Sequence, residues 1–167
     1  MPTLVAQPLT AEAFAPFGDV ISVEGRLGKD ANQGTAQRFD FCAKFASTRP
    51  GARHNLAVFR AQPRTLPLAV HLVERHPCSS QAFLPLNVSR YLVCVAPGRP
   101  DGTPDLAGLR AFVVPGSVGI NYHQGTWHHP MVALDRESDF AMLAWEDGTP
   151  ADCELHQLDG SLQIIER

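Results

Sequence analysis

The sequence predicts an all-β domain, built as an antiparallel sandwich or a small barrel. The chain has 167 residues, a length typical of one domain, and 44% of them are hydrophobic, enough for a core. Its 14 prolines and 13 glycines are spread along the chain, which excludes long helices because an interior proline costs about 3 kcal/mol. Short apolar runs rich in Val, Ile, Leu, Phe and Tyr recur throughout, each ended by Pro, Gly or small polar residues.

The elements are predicted in chain order, within a single domain over residues 1–167. A short helix is expected over residues 11–17, with Thr10 as its N-cap and Gly18 at its end. Residues 24–37 are polar and aperiodic, so a long loop or flap is expected there. The apolar runs then predict strands at residues 54–60, 68–74, 81–86, 90–96, 109–114, 118–123, 130–134 and 139–145. Residues 106–110 are compatible with one helical turn.

Charge and cysteine usage exclude several classes of protein. There are 14 basic and 17 acidic residues, a net charge of −3 without a basic stripe, so no nucleic-acid partner is expected. No apolar run has the length of a membrane span and the N-terminus does not resemble a secretion signal. The four cysteines lie far apart without a CxxC pair, which predicts free thiols in a reducing compartment. A cytoplasmic protein without membrane partners is therefore expected.

The histidines are concentrated in two short segments. Five of the seven lie in HLVERHP, residues 71–77, and in NYHQGTWHHP, residues 121–130. Residues two apart in a strand point to the same face, so Glu74 and His76 are predicted to project together. The turn-like stretch after His76 can bring Gln81 back to the same side. In the second segment, His128 follows a glycine-containing turn where a strand begins.

These four side chains form a candidate metal site. Glu74, His76, Gln81 and His128 offer one carboxylate, two imidazoles and one amide oxygen. This mixed set suits a borderline or hard divalent cation that keeps positions open for substrate. Gln81 is equally compatible with a hydrogen-bonding role in a turn.

Other candidates have structural alternatives. Arg60 can bind a carboxylate through its two-pronged guanidinium, or lie over the sheet surface. Trp127 is compatible with core packing, and His71 and His129 with ordinary core or surface positions. No GxSxG elbow, phosphate-binding loop or HExxH motif is present.

The candidate residues carry a resemblance to two cupin motifs. Glu74-x-His76-x4-Gln81, followed by Gly125-x2-His128, is similar to an HxH pair with a following carboxylate and a later Gly-x2-His. The sequence departs from the pattern where Glu74 replaces the first His, Gln81 the usual Glu, and Val88 the closing Gly.

A closer resemblance covers most of the chain. The segments AFAPFGDVI, FRAQP, LPLAVHLVERHP, QAFLPL, LRAF and NYHQGTWHHP resemble the ureidoglycolate lyase family. That resemblance implies a cupin-like double-stranded β-helix or jelly-roll barrel with a few short helices. It implies a homodimer, and a divalent metal, with nickel the most expected. The implied activity is release of urea from (S)-ureidoglycolate to leave glyoxylate, in allantoin and purine breakdown for nitrogen use.

The implied chemistry gives each candidate residue a role. Ureidoglycolate carries a hydroxyl, a carboxylate and a urea nitrogen on one carbon, so elimination removes the hydroxyl proton and protonates the departing nitrogen. A metal on the four ligands would polarise the hydroxyl, with His123 as proton shuttle. Without a metal, His76 or His128 becomes the base and Glu74 its orienting partner. The predicted substrate-binding residues are Arg60, Gln62, Tyr122 and Trp127.

Two other functions stay open at this point. The first is a cupin enzyme of different chemistry, such as an isomerase, a dioxygenase or a ureidoglycolate amidohydrolase that releases ammonia. The second is a non-catalytic cupin that binds a small carboxylate.

Overall fold

The computed structural model describes residues 2–166, and short strands make up most of the regular structure. The strands are β1 Thr3–Val5, β2 Gln7–Pro8, β3 Gly18–Ile21, β4 Lys29–Ala31, β5 Ala36–Arg38, β6 Arg53–Ala61, β7 Leu68–Ala69, β8 Leu72–Arg75, β9 Gln81–Pro85, β10 Arg90–Ala96, β11 Arg110–Pro115, β12 Gly119–Tyr122, β13 Trp127–His128, β14 Val132–Leu134, β15 Ser138–Glu146, β16 Glu154–Gln157 and β17 Gln163–Ile165. Helix α1 is Ala11–Phe14, and 3-10 turns lie at Asn32–Gly34, Leu106–Gly108 and Pro150–Asp152.

Two large sheets face each other. One has the strand order β16-β8-β13-β10-β11-β2, with β14 also paired to β10, and the other has the order β3-β12-β9-β15-β6. Nearly all pairings are antiparallel, with β2 parallel to β11 as an exception in the first sheet. A smaller sheet, β1-β17-β7, covers the far side of the seven-stranded sheet.

The apolar core is divided by the seven-stranded sheet. The inner cluster joins the two large sheets and includes Tyr91, Val95, Tyr122 and Phe140, all 0–1% exposed. The outer cluster, around Val73 and Leu92, lies between the seven-stranded sheet and the small sheet. Alternate residues of one strand therefore contribute to different clusters, as the period of two along a strand requires. Below, the inner face of each large sheet is the face that contributes to the inner cluster.

The predicted all-β class is confirmed as a cupin-like sandwich. Among the described residues the sheets do not close into a barrel, which was the other predicted form. The predicted helix is shorter than residues 11–17, although Thr10 is its N-cap and accepts a hydrogen bond from Ala13 N at 3.1 Å. Gly18 belongs to β3 and is not the helix cap. None of the described residues forms a helix long and apolar enough to cross a membrane.

Residues 24–37 are not the irregular loop that their composition predicts. They contain a hairpin in which β4 pairs with β5, turned by Asn32, Gln33 and Gly34 with φ of 52°, 57° and 87°. Its strands have three residues each and carry charged side chains, so no apolar alternation marks them in the sequence.

Another predicted strand, 68–74, is interrupted. It divides into β7 and β8, because the Val70 N–H donates to the Leu162 carbonyl instead of continuing the ladder.

Candidate active site

Strand pairing brings the two histidine segments together. Glu74 on β8 and His128 on β13 are directly opposite one another in the antiparallel register, so their side chains share a face. On its other side, His128 is opposite Val95, which lies in the inner cluster. Glu74 and His128 therefore face the space between the two large sheets. His76 follows two residues after Glu74, just past the end of β8.

Glu74, His76 and His128 form a compact triad. One potential ligand atom from each residue lies within 4.8 Å of the others. His128 Nε2 is 3.5 Å from Glu74 Oε1, and the two imidazole rings stack with their centroids 5.5 Å apart. His76 is 8% exposed and His128 1%. One carboxylate and two imidazoles with this spacing fit a divalent metal ion.

The hydrogen bonds of the two histidines prepare them for a ligand. His76 Nδ1 lies 2.9 Å from the Asp152 carbonyl, and His128 Nδ1 lies 2.9 Å from the Thr126 carbonyl. Because a carbonyl only accepts, each Nδ1 carries the proton and each Nε2 keeps its lone pair. Both Nε2 atoms are buried without a hydrogen-bond partner among residues 2–166. Histidines that bind metals are oriented in this way.

Two further unpaired polar atoms come from the facing sheet. Tyr122 on β12 and Gln81 on β9 are opposite one another in the register, so both belong to the inner face. The Tyr122 ring stacks on His128 with a centroid distance of 4.0 Å and an interplanar angle of 12°. In the described part of the chain, the Tyr122 hydroxyl and Gln81 Oε1 are buried without hydrogen-bond partners. Buried polar atoms are normally hydrogen-bonded, so these unpaired atoms indicate a ligand site.

Burial and neighbouring charges shift the pKa values of Glu74 and His76. Burial alone would raise the pKa of Glu74, but its interaction with His128 and the charge of His76 lower that pKa overall. Burial lowers the pKa of His76, and the neighbouring His128 lowers it further. A carboxylate beside a neutral imidazole is the combination that metal binding requires.

A loop between β15 and β16 holds His76 in place. The Asp152 carboxylate accepts hydrogen bonds from the backbone N–H groups of Asp147, at 3.1 Å, and Gly148, at 2.7 Å, and it pairs with the Arg49 guanidinium. The same residue presents its carbonyl to His76. The next residue, Cys153, donates from Sγ to Glu74 Oε2 at 3.8 Å. The sequence did not predict a supporting role for Arg49, Asp152 or Cys153.

The comparison with protein families matches nearly the whole chain. The model of the ureidoglycolate lyase family covers residues 1–165. The chain belongs to this family. Its relatives include the ureidoglycolate lyase of Burkholderia cepacia, 49% identical over 146 residues, which are 85% of this chain and 79% of the relative. Another, from Pseudomonas fluorescens strain SBW25, is 41% identical over 166 residues, 99% of this chain and 97% of the relative.

The family match confirms the predicted membership and the assignment as a lyase. Among solved structures, a 3,4-ketoisomerase from Helicobacter canadensis has a TM-score of 0.45 at 12% identity, over 81% of this chain and 87% of that chain.

Arg60, Gln62 and Trp127 are not brought to the triad of this family member. Arg60 donates hydrogen bonds to the Asp139 carboxylate at 2.8 and 3.0 Å. The strand register aligns Gln81 with Asn55 of β6, through Ala144 of β15 between them. Arg60 lies five residues beyond Asn55 along β6. Five residues of strand span about 17 Å. Gln62 donates to the exposed carboxylate of Glu137.

Trp127 alternates with His128 and packs in the outer cluster, where its indole N–H donates to the Gly102 carbonyl.

His123 contacts an acid that the sequence did not single out. Its Nε2 is 3.1 Å from Asp19 Oδ1. The Asp19 carboxylate also accepts from Lys44 N at 2.8 Å and from Asn121 Nδ2 at 2.9 Å. Asn121 alternates along β12 with Tyr122, so this contact lies on the outer face of the five-stranded sheet.

Replacing Asp19 with asparagine is expected to make stability less dependent on pH. Burial would raise the pKa of Asp19, but hydrogen bonds from Lys44 and Asn121 and the nearby His123 imidazole lower it overall below the ordinary 3.8. A lowered folded-state pKa adds stability that is present above the unfolded-state value and is lost as pH falls through the folded-state value. Urea unfolding of wild type and Asp19→Asn should differ most well above the unfolded-state pKa of Asp19 and converge as the pH falls through its lower folded-state pKa. A difference that stays constant over this range would contradict the expectation.

Proposed function

We propose that this chain catalyses the elimination of urea from (S)-ureidoglycolate, with glyoxylate as the other product. The observation that carries the proposal is the buried triad, with the unpaired Nε2 atoms of His76 and His128 beside the Glu74 carboxylate. The family to which the chain belongs supports the same reaction. Elimination consumes no water, since the hydroxyl of the substrate becomes the carbonyl of glyoxylate as the carbon–nitrogen bond breaks.

The proposal gives the triad a divalent metal, with nickel as the first candidate. Glu74, His76 and His128 would hold it, and the unpaired Oε1 of Gln81 is the proposed fourth ligand. A bound divalent ion supplies Lewis acidity, which lowers the pKa of a substrate hydroxyl and offsets its charge. The chain orients the imidazoles through the carbonyls of Asp152 and Thr126, so the ligand geometry is set before substrate binds.

The reaction has a metal-assisted and a metal-free version. His123, predicted as the shuttle of the metal-assisted version, is not brought to the triad, because its Nε2 is 3.1 Å from Asp19 on the outer face of the five-stranded sheet. In the metal-free version, the lone pair on Nε2 of His76 or His128 accepts the hydroxyl proton, and Glu74 stabilises the resulting imidazolium. Tyr122 supports His128 through ring stacking in both versions. Neither version assigns a role to Arg60, Gln62 or Trp127.

The test is a product assay on chelator-treated protein with racemic ureidoglycolate. Urea, ammonia and glyoxylate are measured separately, with each divalent metal added back in turn. Equal amounts of urea and glyoxylate, with half of the racemate untouched, are expected. Restoration by nickel above other metals would support the metal assignment, and full activity without metal would favour the metal-free version. Ammonia in place of urea would identify an amidohydrolase, and the absence of turnover with every metal would refute the proposed reaction.

The proposed homodimer would use the outer surface of β6. This nine-residue strand pairs with β15 on one side and has no partner strand on the other among the described residues. Leu56 and Val58 on β6 are 71% and 64% exposed, and Leu84 and Leu86 beside them are 41% and 59% exposed. Long edge strands and exposed apolar patches are normally covered. A second copy of the chain is the proposed cover.

Val58→Lys is expected to shift the protein from dimer to monomer, because the lysine would place a charge within the proposed interface. Light scattering coupled to size exclusion should give twice 18.2 kDa for wild type and 18.2 kDa for the variant. The control is Leu155→Lys, which alters a residue of similar exposure, 59%, on β16 of the other sheet. A variant that stays dimeric, or a wild type that is already monomeric, would refute this interface.

A cytoplasmic location and a single domain belong to the same proposal. The four cysteines are free thiols, which supports a reducing compartment. Pairing of β1 with β17 joins the two ends of the chain in one sheet, which supports a single domain. The predicted boundaries, residues 1 and 167, lie outside the described residues.

A further inference from the structure

A carboxylate–amide pair lies on the inner face of the five-stranded sheet, at the same end as the triad. Asn55 on β6 donates from Nδ2 to Oε2 of Glu146, the last residue of β15, at 2.6 Å. The register places Asn55 opposite Ala144, and Ala144 opposite Gln81, which is in turn opposite Tyr122. These four residues form one row across four strands, on the face where Tyr122 stacks on His128.

Glu146 belongs to the same face as this row. It follows Ala144 by two residues, and Ala144 is buried in the inner cluster. Trp145, between them, points the other way and contacts His54. The pair is therefore at the margin of the triad, and both side chains are at least partly accessible to a substrate.

We infer that Asn55 and Glu146 bind the ureido group of the substrate. This inference rests on the proposed function. A ureido group presents several N–H donors beside one carbonyl acceptor. A carboxylate accepts up to about four hydrogen bonds, so Glu146 can receive N–H groups from the ligand while it keeps its bond to Asn55. The Asn55 amide can donate its second N–H to the ureido carbonyl.

The pairing also selects against ligands without the ureido group. A carboxylate at this position attracts N–H donors and repels a second carboxylate, so the substrate binds with its ureido end toward Glu146 and its carboxylate elsewhere. Hydrogen bonds to a charged group are roughly twice as strong as neutral ones. Removing the charge of Glu146 is therefore expected to weaken substrate binding.

The test compares Glu146→Gln and Asn55→Ala with wild type in the urea and glyoxylate assay. Each variant is expected to raise KM for ureidoglycolate by roughly 10- to 100-fold, with kcat within a few-fold. Inhibition by glyoxylate, which has no ureido group, should be unchanged, whereas inhibition by urea should weaken. Cobalt(II) titration followed by absorption should give wild-type affinity, because neither residue belongs to the triad.

The matched control is Glu137→Gln. Glu137 is also an exposed carboxylate paired with a side-chain amide, that of Gln62, but it lies at the opposite end of the same two strands. The KM of Glu137→Gln for ureidoglycolate is expected to equal that of wild type. Unchanged KM in Glu146→Gln, or an equal loss of glyoxylate inhibition, would overturn the inference while the proposed function stands. A wild type without turnover would overturn the proposed function and this inference together.

Discussion

Replacing His128 with alanine is expected to lower kcat/KM for ureidoglycolate by at least ~10²-fold, the scale of one acid–base or ligand group. The imidazole contributes an unpaired Nε2 to the triad, and its Nδ1 proton is committed to the Thr126 carbonyl. The metal-assisted version uses this nitrogen as a ligand, and the metal-free version uses it as one of the two candidate bases. The measurement is steady-state release of urea and glyoxylate.

A cobalt(II) titration of the same variant separates the two versions. Loss of cobalt binding together with activity supports the metal-ligand role, whereas loss of activity alone supports the base. The control is His71→Ala, which removes an exposed histidine that packs beside Gly160. Activity of His128→Ala within a few-fold of wild type would contradict the assignment of this residue to the site.

Truncating Tyr122 is expected to destabilise the fold far more than removing its hydroxyl. Tyr122→Ala should lower the free energy of unfolding by about 3–5 kcal/mol, as for other large buried aromatic residues. The ring is 1% exposed and packs against Phe14, Phe83 and His128. For a chain of this size, the midpoint of thermal unfolding should fall by roughly 10 °C.

Tyr122→Phe should be neutral or stabilising, because it deletes a buried hydroxyl that has no partner. Tyr91→Phe is the matched control, since the Tyr91 hydroxyl donates to the Val118 carbonyl at 2.8 Å. That variant should cost about 1 kcal/mol, the usual net value of a hydrogen bond. Equal costs for the two phenylalanine variants would show that the Tyr122 hydroxyl has a partner. A raised KM in Tyr122→Phe would assign that hydroxyl to substrate binding.

The cost of leaving buried polar atoms unpaired explains the construction of this site. The unpaired atoms of His76, His128, Gln81 and Tyr122 come from strands of both large sheets. Each is held by a contact elsewhere on its residue or by strand pairing, as with the Nδ1 hydrogen bonds and the Gln81–Tyr122 register. A site fixed in this way loses little conformational freedom when a ligand binds.

The sequence by itself determined the all-β class of the fold and predicted which residues form the triad. Pro and Gly between short β-branched and aromatic runs indicate an antiparallel sandwich or a small barrel of short strands. The projection of Glu74 and His76 to the same face follows from the two-residue period of a strand, which is a local property. The ERHP and WHHP segments carried the family resemblance. Short charged strands such as β4 were not predicted, because their sequences show no alternation of apolar and polar residues.

Only the tertiary structure decided which candidates meet. Alternation assigns residues to two faces, but strand order and register decide which face is inside. They direct His128 inward and Trp127 outward, and they leave Arg60 with Asp139 at the far end of β6. The support that Asp152 gives to His76 passes through a backbone carbonyl, a group that every residue has. A sequence carries no sign of such a bond, because its geometry depends on where the loop lies and not on the identity of the side chain.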